Sequence, residues 1–129
     1  MSRKKTELLT DRETEIMSAL WQLGSASAEV IQTQMSGDPH DSTVRTLLRV
    51  MVSKGLVVAN KNERPTSYRA SVRKRTMQKK VTRSLLSRFF DGSAEDLVLH
   101  LLENEKLSPQ QLRKLQAEYQ RQTNEDKAP

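Results

Sequence analysis

The side chains best spaced for chemistry in this chain lie in DSTVRTLLRVMVSK, residues 41–54. On a helix drawn through that stretch, Ser42, Arg45, Thr46, Arg49 and Ser53 share one side, with Thr43 beside them. They are short hydroxyls and two guanidiniums, and the one carboxylate in the stretch is the opening Asp41. Such a set of donors suits an anionic polymer. A guanidinium can pair bidentately with guanine O6 and N7, and a threonine can offer its methyl to thymine or its hydroxyl to base or phosphate. A helix solvated for its own sake usually interleaves Glu with Lys, because i,i+4 pairs stabilise it. The bland alternative is an ordinary surface face, and one helix alone does not choose between the two.

Under the nucleic-acid reading, Arg45 and Thr46 read bases, while Ser42, Thr43 and Arg49 divide their contacts between bases and backbone. Ser42 has a second reading as the plain N-cap of its helix. Lys61, Arg64 and Arg69 lie further along, in a segment suited to phosphates or a minor groove beside the site; solubility alone is the competing reason for their charge. Tyr68 and Trp21 read as packing residues. The clusters Arg73-Lys74-Arg75 and Lys79-Lys80-Arg83 are either an extension of the field toward DNA or the solvated side of a helix that dimerises. The second is favoured, with long-range steering as a by-product.

Short elements must position these groups. Thr10-Asp11-Arg12-Glu13 is a capping box, opening a helix with Ile16, Met17, Leu20 and Leu23 inward, and Gly24 ends it. Ser27 caps a second helix whose apolar side is Val30, Ile31 and Met35. Ser36-Gly37-Asp38-Pro39-His40 is turn chemistry. In the third helix the stripe Val44, Leu47, Leu48, Met51 and Val52 falls at i, i+3, i+4, i+7 and i+8, and Gly55 stops it. A short β-branched run at 55–60 and a second short extended run at 67–72 flank the polar tip 61–66 and make a β-hairpin. Three helices followed by a basic hairpin predict a winged helix-turn-helix. Beyond it come helices at 73–90, after Ser93, and after Ser108-Pro109, where Gln111 closes a second capping box. These last helices are too thin to enclose a core alone, so their apolar faces are expected to bury against a second copy. The residues expected there are Leu85, Phe89, Leu97, Leu101, Leu112 and Leu115. The fold class is therefore mainly α: a winged-helix DNA-binding domain at 7–72, a three-helix dimerisation domain at 73–123, and flexible tails at 1–6 and 124–129.

The totals agree. The net charge of +6 is unevenly spread: −3 over residues 1–41, +12 over 42–90 and −3 over 91–129. Concentrated positive charge costs self-repulsion, and a polyanionic partner is the usual reason to carry it. With 129 residues and five aromatics, the chain can bury a small core but hardly a deep pocket as well. The absence of cysteine excludes disulfides, thiolate metal sites and cysteine nucleophiles. His40 and His100 make a weak metal site: Glu103 stands at i+3 from His100, a spacing that could ligate but arises often by chance in a charged helix, so no metal and no cofactor are expected. No paired-carboxylate cleft, catalytic triad or phosphate-binding glycine loop is present, so an enzyme is the least expected class. With no apolar run of membrane-spanning length, the chain reads as cytoplasmic with no membrane insertion.

The sequence also resembles the penicillinase-repressor (BlaI/MecI/CopY) family of bacterial winged-helix transcriptional repressors. The resemblance is carried by Leu9-Thr10 with Glu13, Glu15-Ile16-Met17, Leu20-Trp21 and Ala28-Glu29-Val30. It continues through Thr43-Val44-Arg45-Thr46-Leu47-Leu48 with Lys54-Gly55, then Tyr68, then Phe90-Asp91-Gly92-Ser93, and covers roughly residues 7–122. It implies a homodimer that binds a palindromic double-stranded DNA operator, an inverted repeat, and blocks transcription. In the family, the β-lactam-responsive branch is cut at an Asn-Phe pair in the helix after the Gly-Ser element, by a protease domain linked to a membrane sensor. This chain has His100-Leu101 there, the candidate cleavage position, and which sensor or protease would act on it stays open. The copper-responsive branch uses C-terminal cysteine pairs, which this chain lacks. Two other classes stand beside this reading: a protein-interaction module, and a ligand-sensing regulator with a pocket.

Overall fold

The chain's first helix begins where the sequence places its capping box. The Thr10 hydroxyl accepts from the Glu13 amide at 3.1 Å, and the Thr10 amide donates to the Glu13 carboxylate at 3.0 Å. This opens α1 (Asp11–Leu23), which ends at Gly24 with φ 86°. A computed structural model describes residues 9–127; the expected tail at 1–6 and residues 128–129 lie outside them.

After α1 come β1 (Ala26–Ser27), α2 (Ala28–Gln34), α3 (Asp41–Ser53), β2 (Val57–Asn60) and β3 (Ser67–Ala70). Then follow α4 (Lys74–Phe89), α5 (Ala94–Asn104) and α6 (Pro109–Lys127). The fold is mainly α, a winged helix followed by a helical region, as expected. The sheet has one strand more than the hairpin. β3 lies in the middle, pairing antiparallel with β2 and, through Ala26↔Tyr68 and Ser27↔Ser67, with β1. A two-residue Ala-Ser strand has no alternation by which to be recognised.

The chain divides into two compact units, Met1–Leu85 and Leu86–Pro129. In the first, Ile16, Met17 and Leu20 of α1 pack with Ala28, Ile31 and Met35, with Val44, Leu48 and Met51 of α3, and with Val57 of β2. Three expected core residues stay outside: Leu23 is 44%, Val30 43% and Val52 38% exposed. At about 100° per residue, Val52 lies about 80° round the helix from Val44, at the margin of the stripe, whereas Leu48 and Met51 flank its centre. Trp21 is half-buried against the core, and its indole donates to the Val72 carbonyl at 2.8 Å, fastening the end of the wing to α1. Tyr68 packs on the same core.

In the second unit, the Ser93 hydroxyl caps α5 by accepting from the Asp96 amide at 3.0 Å. The Ser108–Gln111 box opens α6 through reciprocal bonds of 3.0 and 2.8 Å. No residue of α5 is buried. α6 continues through 124–127, where the polar composition suggests a tail.

Candidate nucleic-acid interface

α1 holds the turn that leads into α3 and the helix's C-cap. Before the helix, Glu15 accepts from the Ser36 amide at 2.7 Å and its hydroxyl at 2.8 Å, while Arg12 donates to the Ser36 carbonyl at 2.7 Å. Those bonds to Ser36, the backbone one first, hold the Glu15 carboxyl below its ordinary pKa. Gln32 of α2 donates to the Pro39 carbonyl at 2.7 Å, which fixes the last turn before the helix. At the far end Lys54, the C-cap residue, donates to Glu13 at 2.8 Å. Burial alone would push the Glu13 carboxyl up. The Lys54 hydrogen bond, the Thr10 amide and the Lys54 charge outweigh it, and the net direction is down.

The helix stops in a Schellman arrangement. The Gly55 amide bonds to the Val52 carbonyl at 3.0 Å and the Leu56 amide to Met51 at 2.9 Å. This requires the left-handed φ of 80° at Gly55. The wing starts one residue later, so the end of α3 and the root of the hairpin are a single joint.

With Val44, Leu48 and Met51 turned into the core, Ser42, Thr43, Arg45, Thr46 and Arg49 are all exposed along one helix. Their surroundings differ. Arg49 makes no hydrogen bond or ion pair with the described residues. Arg45 is heavily engaged: its Nε donates to both Asp41 oxygens at 3.2 and 3.0 Å, and its Nη2 to Glu29 of α2 at 2.9 Å. The Asp41 hydrogen bond first, then the charges of Asp41 and Glu29, raise the guanidinium's pKa further above its ordinary value. Ser42 is not the cap. The His40 ring takes that place, its Nδ1 accepting from the Ser42 amide at 3.2 Å, and the Ser42 hydroxyl lies 2.9 Å from the same nitrogen. Imidazole is an uncommon cap beside Ser, Thr, Asp and Asn, which is why the sequence points elsewhere.

Lys61 and Arg64 are exposed at the wing tip, held in shape by the Asn60 side chain bonded to Glu63 at 3.1 Å and to the Asn62 amide at 3.0 Å. Arg69 lies on β3 opposite Val58, exposed, with its neighbour Tyr68 on the core side. In the second unit Phe89, Leu101, Leu112 and Leu115 are exposed and Leu97 is half-buried; Leu85, the last residue of the first unit, is exposed at its margin. His100 and Leu101 stand in the middle of α5, with the His100 ring edge-on to Phe90 at 5.6 Å. Among the described residues no group of three His, Cys, Asp or Glu side chains is gathered to hold a metal, and no helix is long and apolar enough to cross a membrane.

The residues that sequence reasoning missed are Glu29, Asp41 and His40. The i,i+4 spacing of Asp41 and Arg45 was a usable signal. Glu29 gave none, being sixteen positions from its partner.

The sequence pattern of the penicillinase repressor family matches residues 9–121. The chain belongs to that family. It is 28% identical over 113 residues to the methicillin resistance regulatory protein MecI of Mammaliicoccus sciuri, covering 86% of this chain and 92% of that protein. Against the penicillinase repressor of Staphylococcus aureus it is 26% identical over 117 residues, covering 89% and 92%. Against that of Bacillus licheniformis it is 27% identical over 114 residues, covering 87% and 89%. Membership makes this chain a DNA-binding transcriptional repressor and not an enzyme. The matched span takes in all of α3, the wing and α5.

Proposed function

We propose that this repressor works as a homodimer that binds an inverted-repeat operator in double-stranded DNA and thereby blocks transcription. The observation that carries the reading is α3: apolar on its buried side, tied to α1 at its C-cap and through the turn before it, and presenting Ser42, Thr43, Arg45, Thr46 and Arg49 outward. In the major groove its first turns lie nearest the bases, so Arg45 and Thr46 read sequence while Ser42, Thr43 and Arg49 share base and backbone contacts. Ser42 must give up its bond to His40 to reach a phosphate. Lys61, Arg64 and Arg69 take the flanking phosphates or minor groove.

Residues 7–72 form the DNA-binding domain and 73–123 the dimerisation domain. The support for a second copy is the uncovered apolar surface: Phe89 is 72%, Val98 52%, Leu115 58% and Tyr119 67% exposed. Such a face is normally covered. Release by cutting at His100-Leu101, by a sensor or protease partner in the same cytoplasmic compartment, requires α5 to unwind locally, because that peptide bond is helical. A ligand-sensing reading has one observation in its favour. Leu9, Trp21, Met77 and Val81 line a groove of about 510 Å³ between α1 and the first turns of α4.

The test is footprinting on DNA upstream of the repressor's own gene and its neighbours. The expected result is a protected inverted repeat with half-sites about one or two helical turns apart. Binding that ignores sequence, or that survives Arg45→Ala and Thr46→Ala together, overturns the assignment of α3.

A further inference from the structure

Among the described residues, Arg45 is the one recognition residue paired with carboxylates. Asp41 and Glu29 bring two negative charges to a single guanidinium, so this corner of an otherwise cationic face has a local excess of one negative charge. All three side chains are about half-exposed, at 45%, 57% and 51% for Arg45, Glu29 and Asp41. Ion pairs that open to water contribute little to stability, so holding the fold together is a poor reason for the arrangement. Carboxylates at this place also weaken attraction to any phosphate backbone.

The donor count shows what the arrangement leaves available. A guanidinium has five N–H groups in a planar fork. Asp41 takes the Nε–H and Glu29 takes one hydrogen of Nη2. Both hydrogens of Nη1 and one of Nη2 have no partner among the described residues, so the Nη end of the fork can donate to guanine O6 and N7, bidentately where Glu29 sits on the Nε-side hydrogen of Nη2. The partners come from two elements, the first turn of α2 and the first turn of α3, so they fix the plane of the guanidinium as well as its place.

We propose that Asp41 and Glu29 are positioning residues for sequence discrimination: they hold Arg45 with its Nη edge free for guanine and disfavour its use on phosphate. This rests on α3 being the recognition helix. The pair trades non-specific affinity for specificity. A duplex that offers guanine at the right place satisfies the held edge. Any other duplex meets two carboxylates and an arginine that cannot swing to the backbone without abandoning both.

The experiment is selection from a pool of fully randomised duplexes with the full chain, as wild type, Glu29→Gln, Asp41→Asn and Arg45→Ala. Affinities for the wild type's preferred duplex and a scrambled one are then compared at fixed salt. Trp21 emission shows that each variant is folded. The expected result is that Glu29→Gln and Asp41→Asn bind the scrambled duplex more tightly and lose preference for the same guanine that Arg45→Ala loses. The ratio of preferred to scrambled affinity falls by at least about 5-fold, the lower end for a bidentate contact. Variants that keep the wild-type motif and ratio, or that weaken both duplexes equally, overturn the positioning role and leave α3 as the recognition helix. A wild type that enriches no motif overturns that underlying reading, and this one with it.

Discussion

Glu13 sits at 4% exposure between the N-terminus of one helix and the C-cap lysine of another, and its single charge serves both. Its carboxyl is held below the ordinary 4.5, so its contribution to stability is complete above that value and is lost as the pH falls from there through the folded pKa. Glu13→Gln should therefore cost about 1–2 kcal/mol near neutral pH, toward the low end for charged hydrogen bonds because Lys54 is half-exposed. In urea melts the gap between variant and wild type should narrow below pH 4.5. A gap independent of pH would show that the charge has no part in it. Arg49 provides a clean measurement because it has no hydrogen-bond or ion-pair partner among the described residues to leave behind. Arg49→Ala should reduce the slope of log affinity against log salt by about one unit if it meets a phosphate. An unchanged slope would remove it from the backbone contacts. What was legible at this scale was local. Thr10 with Glu13 and Ser108 with Gln111 declare themselves three residues apart. The bonds of Lys54 to Glu13, Arg45 to Glu29 and Trp21 to Val72 join residues 41, 16 and 51 positions apart, and no periodicity announces such pairs.

For α3 as an element, the C-terminal end and the buried side can be tested separately. Gly55 has a φ of 80° and open space where a Cβ would stand, so Gly55→Ala adds no clash and isolates the cost of the left-handed backbone. The loss expected is about 1–2 kcal/mol by chemical denaturation. On the buried side, Leu48→Ala should cost about 2–5 kcal/mol, since Leu48 is fully enclosed. Val52→Ala, by contrast, should stay within about 0.5 kcal/mol, as substitutions at exposed positions do. Equal losses at the two positions would contradict the packing described. This contrast also marks the reach of pattern reading. The stripe identified the helix and its inward centre, but its width depended on how closely the neighbouring helices wrap it, which is a property of the assembled unit. Likewise the hairpin was readable from two short extended runs about a polar tip, while β1 exists only because β3 is there to pair with it.

For the whole molecule, the two units present opposite situations. The first closes its own core, and the second leaves α5 without a buried residue. Paired substitutions Phe89→Asp and Leu115→Asp should convert a dimer to a monomer in sedimentation equilibrium while the emission of Trp21, in the first unit, stays native. A wild type that sediments as a monomer would refute the dimer. The charge distribution could be read at this scale because it sums over residues, whereas the partner for the second unit could be inferred only from what its helices leave uncovered. That uncovered surface bears on how sharply a gene could be controlled. If a second copy covers it, the amount of assembled repressor rises with the square of the chain's concentration while monomers predominate. A modest fall in synthesis or rise in degradation would then empty an operator disproportionately, giving a thresholded response with no added component.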